Sequence, residues 1–142
     1  MMNAKFLVTI GLVLASLGVC LLGQEKKPDE EALQKLMQSA GGTVGEIKKN
    51  IEGDLPAVVV SAKKLNEIFD EVQSFWINRD LEEPEEWSGD VMDAADALAE
   101  AASSGDKAAA QAAFKSATGV CGQCHNTYRE KDPNGGYRIR AK

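Results

Sequence analysis

The chain has 142 residues, of which 44% are hydrophobic, and a formal net charge of −6 at pH 7. This length is enough for one domain with a single hydrophobic core. The acidic balance argues against nucleic-acid binding, because proteins that bind phosphate backbones need an excess of Lys and Arg. We therefore expect no nucleic acid among the partners of this protein.

The N-terminal segment, residues 1–23, has the pattern of a secretory signal peptide. Lys5 is its only charged residue, the stretch from Phe6 to Leu22 is apolar, and charged residues begin abruptly at Glu25. The pattern predicts a protein exported from the cytoplasm. Removal of the segment would take away Lys5 alone among charged residues and leave the mature chain more acidic.

The fate of this segment has three readings. Cleavage near Gly23, which we favour, leaves residues 24–142 as the mature domain. An uncleaved membrane anchor is the second reading, because the apolar stretch is just long enough to span a bilayer. Lipid attachment at Cys20 is the third, although Val19 is a poor residue to precede a lipidated cysteine.

The chain has a helical pattern from residue 29 onwards. Apolar residues recur at three- and four-residue spacing, and no sustained alternation of period two marks a strand. Gly105 is suited to closing one helix and Asp106 to capping the next. Short links between amphipathic helices predict an all-α fold, an antiparallel up-down-up-down four-helix bundle. The predicted helices are about 29–52, 56–77, 85–103 and 107–131, followed by a tail over 132–142.

A C-x-x-C-H run, Cys121-Gly122-Gln123-Cys124-His125, is the most informative motif. Two thiols three residues apart lie on one face of a helical turn, from which each can bond to one vinyl group of a single haem. His125 then follows as the proximal iron ligand. A thioredoxin-like motif would need a βαβ setting, and a structural zinc site usually has four ligands. The run therefore predicts one covalent haem c.

The motifs of residues 104–129 resemble the end of the class II c-type cytochromes, cytochrome c′ and its low-spin relatives. That family has a similar G-D, A-A-F and C-x-x-C-H-x-x-Y-R pattern, and residues 84–87 and 53–56 resemble its P-E-x-W segment and first interhelical turn. The resemblance covers residues 29–131. It implies a four-helix bundle with haem c attached at Cys121 and Cys124 of the C-terminal helix, and His125 as axial ligand.

The resemblance also implies that Arg129 lies near the proximal face of the haem and that Met37 lies on the distal face. Bis-histidine ligation is excluded because the chain has one histidine. Met37 as sixth ligand would give low-spin iron at a raised potential, suited to electron transfer. Met37 as a packing residue would leave five-coordinate iron open to small gases. Relatives commonly carry arginine one turn earlier, where this chain has Leu33.

These observations predict a periplasmic haem c protein that carries single electrons at its iron and passes them to redox partner proteins. The alternative is a five-coordinate NO- or CO-binding protein that acts as a sensor or scavenger. A third reading is a helical interaction protein whose C-x-x-C-H run is coincidental. No enzyme activity is expected, because a histidine bound to iron cannot also serve as general base.

The family resemblance implies a homodimer formed through the first two helices. The apolar face of the second helix is widened by Val59, Val60, Ile68 and Phe75, which are the candidates for that contact. The alternative is that these residues lie under the loops or against the haem. The tail from residue 135, with Tyr137, Arg138 and Arg140, extends beyond the usual end of the family and is assigned no function.

Overall fold

The computed structural model describes residues 30–133 and 135–140. Its four helices are α1 (Glu30–Asn50), α2 (Leu55–Ile77), α3 (Glu82–Ser104) and α4 (Lys107–Tyr128). Each helix packs along the next one in the chain, whereas α1 and α4 make few direct contacts with each other. The predicted all-α, up-down-up-down four-helix bundle is confirmed.

The helix ends follow from local capping. The Asp54 side chain accepts a hydrogen bond from the backbone N–H of Ala57 at 3.0 Å, and Asp106 caps α4 by the same contact with Ala109 at 2.9 Å. Gly105, at φ 76°, closes α3 in the left-handed conformation that glycine adopts without a Cβ clash. The third helix begins at Glu82 rather than at 85, because the acidic residues before Pro84 belong to its first turn.

The core lies mainly between α2 and α3. Burial of a large aliphatic side chain stabilises the fold by about 1.5–3 kcal/mol, and the largest fully buried ones come from the first three helices. The fourth helix contributes alanines, such as Ala110 and Ala117, which allow a close approach to α3. The fully buried aliphatic residues of largest volume are Ile47, Val58, Leu65, Val72, Val91 and Leu98.

Two of the residues proposed for a dimer contact are part of this core. Ile68 and Phe75 are buried within the bundle, so the prediction that they take part in a dimer contact is wrong. They are buried because α2 packs against two helices, α1 and α3. A helix with two neighbours buries a wider part of its surface than a single apolar stripe. Val59 is half-buried and Val60 is 69% exposed, so these two remain available for association.

A short β-hairpin follows α4, which ends at Tyr128 and not at the predicted residue 131. Strand β1 (Arg129–Lys131) pairs antiparallel with strand β2 (Tyr137–Ile139), and Arg129 lies opposite Ile139. The turn between them uses Gly135 and Gly136, both at positive φ. Strands of three residues are too short to produce an alternating pattern, so the sequence did not predict them.

The segments on which the export predictions rest, residues 1–23 with Cys20, lie outside the described residues. Cleavage, anchoring and lipid attachment therefore stay predictions. Within the described part of the chain, none of the helices has the length and apolar character needed to cross a bilayer.

Candidate functional site: a haem-sized cavity between the first and last helices

A cavity of about 640 Å³ lies where α1 and α4 fail to meet. Side chains of α2 and α3 form its floor, and the C-terminal hairpin forms part of its wall. Its volume falls within the range of about 300–1,000 Å³ that is typical of sites for cofactors and small molecules. The apolar side chains that line it include Leu33, Met37, Val44, Phe69, Val72, Trp76, Trp87, Val91 and Val120.

The structure brings the C-x-x-C-H residues together on the wall that α4 provides. Cys121, Cys124 and His125 all line the cavity and are half-buried, and both cysteines are free thiols. Because the run lies within the last two turns of α4, the helix itself sets the relative positions of the two sulfur atoms and the imidazole. The spacing in the sequence had predicted this arrangement.

The cavity also sets the protonation of these groups. Burial raises the pKa of the Cys121 thiol. Burial, followed by the neighbouring Cys121 and the Glu83 carboxylate, raises the pKa of Cys124 to about 11. Burial and then the Arg129 charge lower the pKa of His125. At neutral pH both cysteines are therefore S–H groups and the imidazole is neutral, which is the form that ligates metals.

Met37 lies in the opposite wall, on the face of α1 that carries Leu33 and Val44. It is half-buried, and its sulfur is a soft potential ligand. Met92 is also half-buried, but it packs against the core and does not line the cavity. Leu33, which stands where relatives commonly carry arginine, is buried in the α1 wall.

An aromatic cluster holds the end of α4. The Tyr128 ring lies 5.6 Å from that of Trp76 and 5.9 Å from that of Trp87, measured between ring centroids. The Tyr128 hydroxyl donates a hydrogen bond to Glu83 Oε2 at 2.8 Å. Since His125 lies one turn before Tyr128 and all three rings line the cavity, the cluster restrains the wall that carries the imidazole.

Arg129 also lines the cavity, at the first residue of β1. Its guanidinium lies 4.2 Å from the centroid of the Tyr137 ring. The tail carries no recognisable motif, so four cavity-lining residues of the hairpin could not be predicted from the sequence. These are Gly136, Tyr137, Arg138 and Ile139.

The residues present fit a covalently bound haem. The cavity is large and mostly apolar, as a flat macrocycle requires, and one wall offers two protonated thiols beside a neutral imidazole. The opposite wall offers one thioether sulfur. This donor set matches two vinyl groups and the two axial positions of one iron.

Comparison with known proteins agrees with this reading. The family model for cytochrome c′ matches residues 30–129. Among solved structures, the crystal structure of cytochrome c′ from Thermochromatium tepidum is similar in fold, with a TM-score of 0.60 at 23% sequence identity. The alignment covers 78% of this chain and 94% of that one. No curated protein matches the chain.

Proposed function

Because the chain belongs to the cytochrome c′ family, we propose that it carries single electrons between proteins in the periplasm. The family binds haem c covalently, so this protein is a haem c protein. The iron of that haem supplies a one-electron redox couple whose potential depends on its axial ligands and surroundings. The observation that carries the proposal is Met37, whose sulfur-bearing side chain lines the cavity opposite the C-x-x-C-H wall.

Haem attachment falls to Cys121 and Cys124. With haem present, each S–H would add across one vinyl C=C bond, forming a C–S bond and a C–H bond with no leaving group. The support for this assignment is that both thiols are free, protonated at neutral pH and directed to one cavity. The neutral imidazole of His125, the next residue, would hold the haem iron.

We assign the distal site to Met37 as sixth ligand. A thioether donor favours the ferrous state and raises the reduction potential, which suits an electron carrier. Ligation from both sides also excludes external ligands. Since Met92 packs away from the cavity, Met37 is the methionine among the described residues that supports this assignment.

Binding of NO or CO to five-coordinate iron is the second candidate function. One feature of the α1 wall favours it: Met37 is flanked there by the small residues Ala40 and Gly41. This small-residue region, with the apolar Leu33 and Val44, would give a diatomic gas room beside the iron. In this case Met37 only packs over the haem.

The absorption spectrum of the purified protein separates the two functions. A haem stain on a denaturing gel comes first, because thioether-linked haem survives denaturation. Ferric and ferrous spectra are then recorded with and without CO. A low-spin spectrum that CO leaves unchanged supports electron transfer, whereas a high-spin spectrum with ready CO binding supports the gas-binding function. An unstained band would contradict both.

We also propose export with cleavage near Gly23 and association as a homodimer through α1 and α2. Val60, the most exposed large apolar residue of α2, supports the dimer contact. N-terminal sequencing of the exported protein should begin within a few residues of Gln24, and a lipid-modified Cys20 would contradict this. Sedimentation should show dimers that Val60→Lys weakens; monomers at all concentrations would remove the dimer proposal.

A further inference from the structure

The C-terminal hairpin is a part of the cavity wall that the family match leaves out. The match ends at Arg129, whereas β2 and the turn before it contribute Gly136, Tyr137, Arg138 and Ile139 to the cavity lining. The hairpin therefore lies where it can contact a haem bound in the cavity.

Contacts with three other elements hold the hairpin in place. Gln34 of α1 donates a side-chain hydrogen bond to the backbone carbonyl of Tyr137 at 2.8 Å. The backbone N–H of Arg140 donates to the carbonyl of Tyr128, at the end of α4, at 2.7 Å. Ile139 packs against the hydrophobic core. These contacts set β2 across the end of the cavity where α1 begins and α4 ends.

The charges along the cavity are concentrated at this same end. Apart from His125, the charged residues in its described lining are Glu30, Arg129 and Arg138. Glu30 already pairs with Arg79, at 3.3 Å. Arg138 likewise pairs with Glu130, at 2.7 Å, so the hairpin end of an otherwise apolar cavity carries two guanidinium groups, one of them already in an ion pair. Both are exposed, so they lie at its rim and not in its interior.

A haem brings two propionate carboxylates into any cavity that holds it. A carboxylate is costly to bury among apolar groups, so these groups must face water or a cation. Arginine is well suited to this role because its planar guanidinium donates paired hydrogen bonds to a carboxylate. The rim at the hairpin is the part of this cavity that offers both water and guanidinium groups.

Of the two arginines, Arg138 is the better placed for this contact. The Arg129 guanidinium is stacked on the Tyr137 ring. Arg138 uses its Nε to donate to Glu130 Oε1 at 2.7 Å, on the paired strand. Its two terminal amino groups add further donors in a fixed plane. The Glu130 contact thus orients the guanidinium at the rim without occupying those donors.

We propose that β2 is a haem-binding element and that Arg138 pairs with a haem propionate at the cavity rim. The inference rests on the proposed function, since it requires haem in this cavity. A cation at this position offsets the propionate charge felt by the iron, which favours the ferrous state and raises the reduction potential.

The test compares Arg138→Gln with Lys131→Gln in the haem-loaded protein. Both variants remove one positive charge from the same hairpin, but Lys131 is exposed and does not line the cavity. We expect Arg138→Gln to lower the reduction potential and to shift the propionate bending band in the resonance Raman spectrum. Lys131→Gln should leave both at the wild-type values. Arg138→Lys, which keeps the charge, should restore the potential but not the band.

Two results would overturn the inference. Equal changes in potential for Arg138→Gln and Lys131→Gln would mean that only the overall surface charge matters. An unchanged propionate band in Arg138→Gln would mean that the carboxylate lies elsewhere along the cavity. A haem stain of the wild type and of each variant distinguishes a failure of the proposed haem function from a failure of the Arg138–propionate contact. A wild type without covalent haem refutes the proposed function and this inference with it, whereas stained variants that fail the comparison refute this inference alone.

Discussion

Replacement of Met37 by leucine separates iron ligation from packing. Leucine has nearly the volume of methionine, and such exchanges in a core usually cost less than about 1.5 kcal/mol. Because Met37 is only half-buried, we expect the packing cost to stay well below that limit. If Met37 ligates the iron as proposed, the loss of its sulfur removes the sixth ligand entirely. The ferric spectrum should change from low-spin to high-spin while the fold is retained.

Met37→Ala adds a packing loss to the same chemical change. Truncation of a fully buried methionine costs about 2–5 kcal/mol, so half-burial predicts about 1–2 kcal/mol from packing. Alanine also enlarges the space next to Gly41, and CO should bind faster than in Met37→Leu. Urea unfolding gives the stability difference, and flash photolysis gives the CO rates.

Met92→Leu is the matched control, since Met92 has similar burial but lies outside the cavity wall. It should leave the spectrum and the CO rate unchanged. A Met37→Leu variant that stays low-spin would refute the ligand assignment, because another group would then occupy the sixth position. A wild type that is already high-spin would leave Met37 as a packing residue and favour the gas-binding function.

Three further predictions test the other wall of the cavity. The Cys121→Ala and Cys124→Ala variants should each keep at most one thioether, and the double variant should lose all haem on a denaturing gel; covalent haem in the double variant would contradict the attachment sites. Tyr128→Phe removes the hydrogen bond to Glu83 and should lower the free energy of unfolding by about 1–2 kcal/mol, since the acceptor is a carboxylate that water reaches in the variant; equal urea midpoints for variant and wild type would contradict this. In haem-free protein the pKa of Cys124 is raised to about 11, so the folded state keeps its thiol proton up to a higher pH than the unfolded state does. The free energy of unfolding should therefore be constant below about pH 8.5, where the unfolded thiol begins to ionise, and should fall as the pH rises towards 11. The haem-bound protein should not lose stability over this pH range, because a thioether does not titrate. Equal slopes of unfolding free energy against pH in the haem-free and haem-bound forms would contradict Cys124 as an attachment site.

The sequence by itself determined the helices and the chemistry of one wall. Helical periodicity and caps are local properties, so Asp54, Gly105 and Asp106 mark helix ends whatever the helices pack against. The C-x-x-C-H run is local in the same sense. Its residues lie within two turns of α4, and the helix brings them to one side before any tertiary contact forms.

Only the tertiary structure decided what surrounds that wall. An apolar stripe shows that a face is buried but not against which neighbour. Ile68 and Phe75 were therefore candidates for a dimer contact, although the bundle itself buries them. The family resemblance had indicated Met37 for the distal face, and the gap between α1 and α4 shows that Met37, and not Met92, lines the cavity. The hairpin depended most on long-range contacts. Its three-residue strands carry no periodic signal. Hydrogen bonds to Gln34, which is about a hundred residues earlier in the chain, and to Tyr128 at the end of α4 hold the strand that carries Arg138 at the cavity rim.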